Sequence, residues 1–111
     1  MRANDYQEWT KSTVVYEGDN KMSYFTLGLV GEAGEVAEKV KKLMRDYKQY
    51  KEVPPTDKVL EIHYELGDVL WYLARLADFW GTNLENLMKL NKSKLESRKK
   101  RNKLHGEGDT R

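Results

Sequence analysis

The chain's two prolines stand side by side, at Pro54 and Pro55. A proline inside a helix removes a backbone donor and clashes with the preceding turn. Long helices are therefore open to this chain on either side of that point, and excluded across it. The apolar residues use that freedom. Before the prolines, Leu29, Val30, Ala33, Val36, Ala37, Val40, Leu43 and Met44 recur at the 3.6-residue period, predicting a helix over residues 23–47. After the loop centred on the prolines come Val59, Ile62, Leu66, Val69, Leu70, Leu73, Leu76 and Trp80. They predict a second long helix, with Thr56 as N-cap and an end near Trp80, before Gly81. A shorter first helix, capped by Asn4, carries Tyr6, Trp9, Thr13 and Tyr16, and Glu17-Gly18-Asp19-Asn20 reads as a turn. Thr82 and Glu85 have capping-box spacing, so a last helix follows at once and fades into Lys99-Lys100-Arg101. No strand-like alternation interrupts this pattern. The expected fold is all-α, a four-helix bundle-type chain with one domain over residues 1–103 and a Gly-rich tail over 104–111.

Other classes fall away quickly. Cysteine is absent, which removes disulfides, thiolate metal sites and thiol nucleophiles. The start, MRANDYQEW, has no apolar run, and no stretch approaches the roughly 20 apolar residues of a membrane span. A cytoplasmic protein without membrane contact is expected. Charge is unevenly placed. Residues 89–111 hold nine Lys/Arg against three Asp/Glu, a net +6, while the 88 residues before them hold eleven against fifteen, a net −4. A basic end on an acidic body fits a nucleic-acid tail, phosphate contacts beside an acidic metal site, or a solvated helix end.

The carboxylates narrow these options. With about 100° of turn per residue, Glu32 lies at the edge of the first long stripe and Glu35 about 60° beyond it. Gly28, Gly31 and Gly34 share that side. Glycine inside a helix costs roughly 1 kcal/mol against alanine. Either close helix packing or a ligand needing room beside the carboxylates must offset that cost. On the second long helix, Glu65 and Asp68 are one turn apart at a matching offset from the stripe, with Tyr72 one turn further. If the two helices pack through their stripes, the pairs Glu32/Glu35 and Glu65/Asp68 can face each other. Four carboxylates in a partly dry site repel strongly, and a hard divalent cation relieves that repulsion. Oxygen-only ligands select Mg²⁺, or Mn²⁺, over zinc. Two solvated acidic faces would show the same spacing.

The stretch Gly28-Leu29-Val30-Gly31-Glu32-Ala33-Gly34-Glu35-Val36-Ala37-Glu38, followed by Glu65-Leu66-Gly67-Asp68-Val69-Leu70-Trp71-Tyr72, resembles the MazG-like all-α nucleoside triphosphate pyrophosphohydrolases. The family pattern is EExxE, a spacer, then ExxD. Asn91, Lys94-Leu95 and Arg98 resemble the family's closing NxxKLxxR motif. Gly106-Glu107-Gly108-Asp109-Thr110-Arg111 resembles the GSGDxR ending of small phage-type members. The likeness runs from about Leu27 to the C-terminus. One departure is clear: Gly31 stands where the first Glu of EExxE would be. The four-carboxylate set of the related dimeric dUTPases and dCTP pyrophosphatases does not require that Glu.

The resemblance implies hydrolysis of a (d)NTP to (d)NMP and pyrophosphate, in the service of nucleotide-pool cleaning. It implies Mg²⁺ on Glu32, Glu35, Glu65 and Asp68, which would form the catalytic centre. Lys94 and Arg98 would contact phosphate, Asn91 phosphate or sugar, and Tyr72 sugar or base. Trp9 and Tyr16 are candidate base contacts, although Trp9 at this spacing also reads as core. Glu38 is either a second-shell group or base, or a surface partner of Lys41 or Lys42. His63 lies toward the apolar face and reads as a core histidine. The family dimerises, often pairing dimers into tetramers, with the site shared between subunits. Trp71, Phe79 and Leu60, off the main stripe, fit a homo-oligomer. Two alternatives remain. One is a phosphoribosyl-ATP pyrophosphohydrolase-like enzyme, although the GEAGE form and the GEGDxR tail fit the MazG-like branch better. The other is a non-enzymatic helical module with its basic end on nucleic acid. Four inward acids would repel phosphate unless a cation is bound, so nucleic acid is not the expected partner.

Overall fold

The computed structural model describes residues 1–47, 53–109 and 111. The described residues form four α-helices and a single 3₁₀ turn, with no strand among them. Helix α1 spans Ala3–Thr10 and continues as a 3₁₀ turn over Lys11–Thr13; α2 spans Lys21–Asp46, α3 Thr56–Phe79 and α4 Leu84–Lys100. Residues 48–52, the start of the expected proline loop, lie outside the described residues. No described helix is long and apolar enough to cross a membrane.

The helix ends follow local chemistry, with four departures from expectation. Asn20 caps α2, its Oδ1 accepting the Ser23 N–H at 3.2 Å, so α2 begins before Ser23. Helix α3 begins at Thr56 itself, with Pro55 in the cap position and no side-chain cap. It is closed just beyond Phe79 by Gly81, which takes φ +72°. The Gly81 N–H donates to Asp78 O at 3.1 Å and the Thr82 N–H to Ala77 O at 2.9 Å, closing a Schellman turn. Asn83, not Thr82, then caps α4 by accepting the Asn86 N–H at 2.8 Å. Asn4 and Glu85 cap each other's helices instead of their own. The Asn4 N–H donates to the Glu85 carboxylate at 2.9 Å, and the Glu85 N–H donates to Asn4 Oδ1 at 3.0 Å. Each satisfies an orphan donor in the other's first turn, pinning the starts of α1 and α4 together.

Helices α2 and α3 pack along each other as an antiparallel hairpin. Gly28 meets Tyr72, Glu32 meets Asp68 and Lys39 meets Glu61, so partner numbers fall along α3 as they rise along α2. Helix α1 lies against α3 and the start of α4, and α4 touches α2 to no comparable extent. The chain alone is therefore not a closed four-helix bundle. Its radius of gyration is 17.2 Å, against about 13 Å for a compact chain of this length.

The hairpin contact is rotated away from the stripe centres. Phe25 and Leu43 are buried on α2, but Val30, Ala33, Ala37 and Met44 are exposed. On α3, Leu66, Leu70 and Leu73 are 51%, 42% and 37% exposed. The helices meet along the carboxylate edge of each stripe and leave the other edge bare.

Where α1, α3 and α4 meet, the buried groups are largely polar. Arg75 is buried and donates to Thr10 Oγ1 at 2.8 Å and to Gln7 O at 2.7 Å, and pairs with Asp78 at 2.8 Å. Gln7 donates to Asp78 Oδ1 at 2.6 Å and accepts the Leu84 N–H at 2.7 Å. The Gln7 backbone carbonyl, side-chain amide nitrogen and side-chain oxygen are thus all engaged, as burial demands. Trp9 is not core, being 56% exposed, and His63 is exposed rather than packed. Both sit on helix faces that no other described element covers.

Candidate metal and nucleotide site

The i, i+3 spacing on α3 places Glu65 and Asp68 on one face, and the antiparallel register of α2 brings Glu32 opposite them. Carboxylate oxygens of Glu32, Glu65 and Asp68 all lie within 4.8 Å of one another. Glu35 does not join that trio and is exposed, although its charge reaches Glu32. Burial, followed by the Asp68, Glu65 and Glu35 carboxylates, holds the Glu32 carboxyl above the ordinary carboxylate range. The raised value follows from crowding acids in a partly buried place. The donors are all oxygen, so the trio suits a hard divalent ion.

Glycine spacing has a mixed explanation. A Cβ on Gly28 would run into the Tyr72 ring, so that glycine lets Tyr72 lie against the α2 backbone. Gly31, Gly34 and Gly67 have open space where a Cβ would go. Close packing within the chain accounts for one glycine of the row only.

Beside the trio lies a cleft of about 310 Å³, lined by Thr13, Val15, Tyr24, Glu32, Asp68, Trp71 and Tyr72. The indole N–H of Trp71 donates to Thr13 Oγ1 at 2.7 Å, fixing the ring that forms one wall. Trp71 and Tyr72 meet edge to face at 4.9 Å. Burial, with Tyr24, Glu32 and Asp68 nearby, raises the Tyr72 phenol, and burial with Asp68 raises that of Tyr6. Both phenols stay neutral beside the acids. Tyr16 stacks on Tyr24 with ring centroids 4.2 Å apart, so it backs the cleft rather than lining it. Trp9 packs on Tyr6 at 5.9 Å.

The other candidates sit elsewhere. Glu38 pairs with Lys41 at 2.9 Å and Lys42 at 3.8 Å, the surface arrangement. Asn91 is exposed on α4. Lys94 and Arg98 hold the tail: Lys94 bonds to Asp109 at 3.2 Å, and buried Arg98 donates to Asp109 O at 2.8 Å and Gly108 O at 3.2 Å. The Lys94 ammonium and then the Arg98 guanidinium hold the Asp109 carboxyl below its usual range.

Residue spacing alone passed over several neighbours. Lys39 approaches Glu65 at 3.6 Å and Glu61 at 4.0 Å. Its position seven residues after Glu32 was a usable signal. Tyr6, Thr13 and Tyr24 reach the site through tertiary packing, which no spacing reveals.

The profile of the MazG nucleotide pyrophosphohydrolase domain matches residues 21–102, helices α2 to α4. The chain belongs to the MazG family. The acidic trio thus falls within the segment that defines this family of nucleotide pyrophosphohydrolases, whereas the tail beyond residue 102 lies outside the MazG match. The chain is also similar to the Gene 37 protein of Mycobacterium phage L5, 40% identical over 117 aligned positions covering all of both chains. No solved structure matches it significantly.

Proposed function

We propose that the protein is a Mg²⁺-dependent nucleoside triphosphate pyrophosphohydrolase, releasing (d)NMP and pyrophosphate, with a role in cleaning the nucleotide pool. The observation that carries this reading is the convergence of Glu32, Glu65 and Asp68 within 4.8 Å beside a polar, aromatic cleft. Glu32, Glu65 and Asp68 would hold the ion, with Glu35 swinging in as fourth ligand. Bound there, a divalent cation supplies charge neutralisation for the triphosphate and a more acidic water. The chain's own groups do the rest. Trp71, Tyr24 and Tyr72 offer ring faces to the nucleoside, and the neutral phenol of Tyr72 offers a donor to sugar or base.

We further propose that the working unit is a homo-oligomer. The support is the bare edge of both apolar stripes and the open shape of the single chain. A second hairpin laid on that edge would complete a four-helix bundle. Since α4 does not pack on its own α2, phosphate contacts by Asn91, Lys94 and Arg98 would come from another copy, with Asp109 giving way to the incoming anion.

The test is a panel of canonical and modified NTPs and dNTPs, with Mg²⁺ and with EDTA, resolving products. Monophosphate plus pyrophosphate, lost in EDTA, is expected. Diphosphate plus orthophosphate, or turnover indifferent to EDTA, would overturn the reading.

A further inference from the structure

The α2/α3 hairpin changes character along its length. At one end stand Tyr24, Trp71 and Tyr72; in the middle, Glu32, Glu65 and Asp68; at the other end, cations. A second cavity of about 220 Å³ opens there, with Lys39, Lys42, Arg45 and Lys58 against Asp46 and Glu61 in its wall. Lys39 joins the two regions. It lines this cavity and also lies 3.6 Å from Glu65, with only 29% of its side chain exposed. Glu32 to Lys39 is seven residues on one helix, about 10 Å at the helical rise. The acids thus have an aromatic cleft on one side and a cationic cavity on the other.

We propose that the hairpin sets the direction in which a nucleoside triphosphate lies: nucleoside in the aromatic cleft, terminal phosphates toward Lys39 and the basic cavity, which receives the pyrophosphate product. The inference rests on the pyrophosphohydrolase reading and adds a polarity and a binding residue to it. The scission itself balances simply. Water adds to the α-phosphorus and gives up a proton to solvent, the bond to the bridging oxygen breaks, and pyrophosphate leaves with the electron pair. The charge that develops on that leaving group needs a cation on its side of the acids. In the single chain, the Lys94 and Arg98 charges already face Asp109. Among the described residues, Lys39 is the cation that reaches both the acids and the cavity. Its ammonium is balanced by Glu65 and Glu61, and an ion between the carboxylates would draw Glu65 away and free Lys39 for phosphate.

The test is calorimetric binding of inorganic pyrophosphate with Mg²⁺, and separately of nucleoside monophosphate, to the full chain and to Lys39→Gln, Lys39→Arg and Lys42→Gln. Triphosphate turnover of the unsubstituted protein is measured alongside. Lys39→Gln should weaken pyrophosphate binding roughly tenfold or more, the worth of one charge-assisted hydrogen bond. Monophosphate binding should stay unchanged, Lys39→Arg should retain pyrophosphate, and Lys42→Gln should show a smaller loss. Helical circular dichroism checks that each variant folds. If Lys39→Gln does not fold, the loss in Lys42→Gln, whose side chain is half exposed, decides the question. Turnover in the unsubstituted protein with pyrophosphate affinity indifferent to Lys39 and Lys42 would overturn the polarity alone. A loss falling on monophosphate instead would reverse it. Absence of any triphosphate turnover would overturn the function, and the polarity with it.

Discussion

At the scale of single residues, the acidic trio stores an electrostatic cost that a cation relieves. The Glu65 side chain is mostly covered and lies between Glu32, Asp68 and Lys39. Glu65→Gln keeps its volume and removes its charge. Mg²⁺-dependent turnover should fall about a hundredfold or more, with helical circular dichroism unchanged; full activity would remove Glu65 from the site. Glu32 makes a pH prediction. Its folded-state pKa is raised, so the proton binds more tightly in the folded chain than in the unfolded one. The associated stability is complete below the ordinary carboxylate pKa and is lost as pH rises through the raised value. In EDTA, Glu32→Gln should therefore raise Tm at neutral pH and not at pH well below the carboxylate range. A gain of equal size at both would show that charge is not its cause.

At the scale of helices, the glycines separate into packed and open positions. Gly28→Ala places a methyl in the Tyr72 ring and should destabilise the fold by about 1–3 kcal/mol, as overpacking does. Gly67→Ala meets nothing within 4 Å and should stabilise α3 by up to about 1 kcal/mol. Thermal unfolding of the two variants checks both, and equal effects would contradict the packing of Tyr72 on α2. The caps show the limit of local reading. Asn4 and Glu85 are cap-forming residues, and the sequence marks them as such. The residues they cap lie 81 positions away, across two intervening long helices. A local motif names the donor-hungry helix start but not which start will be served.

At the scale of the whole molecule, few apolar side chains among the described residues are buried: Phe25, Leu43, Ala74, Ala77 and Leu84. Such a core is thin for a 111-residue chain with Leu66, Leu70 and Leu73 uncovered on one helix. Sedimentation should give a mass at least twice the 13.0 kDa of the chain. Leu70→Lys should shift it toward the monomer and cut turnover by about tenfold or more, since a buried charge in an interface core costs several kcal/mol. A monomer with full activity would overturn the shared-site arrangement.

The sequence by itself determined where the helices run and which residues share a face. Adjacent prolines, a 3.6-residue apolar period and the Gly81 stop are local causes, and local causes act whatever the rest of the chain does. It also determined that Glu32, Glu65 and Asp68 would stand at the edges of their stripes, where facing helices bring acids together. Only the tertiary structure decided how far each helix is turned about its own axis. That rotation put the contact on the carboxylate edge, left the leucine edge of α3 bare, drew Lys39 beside Glu65 and kept Glu35 outside the trio. It likewise chose Thr13 and Tyr24 for the cleft and tied Lys94 and Arg98 to the tail. Periodicity fixes angles within one helix. The angle between helices follows from side chains far apart in the chain that compete for the same space.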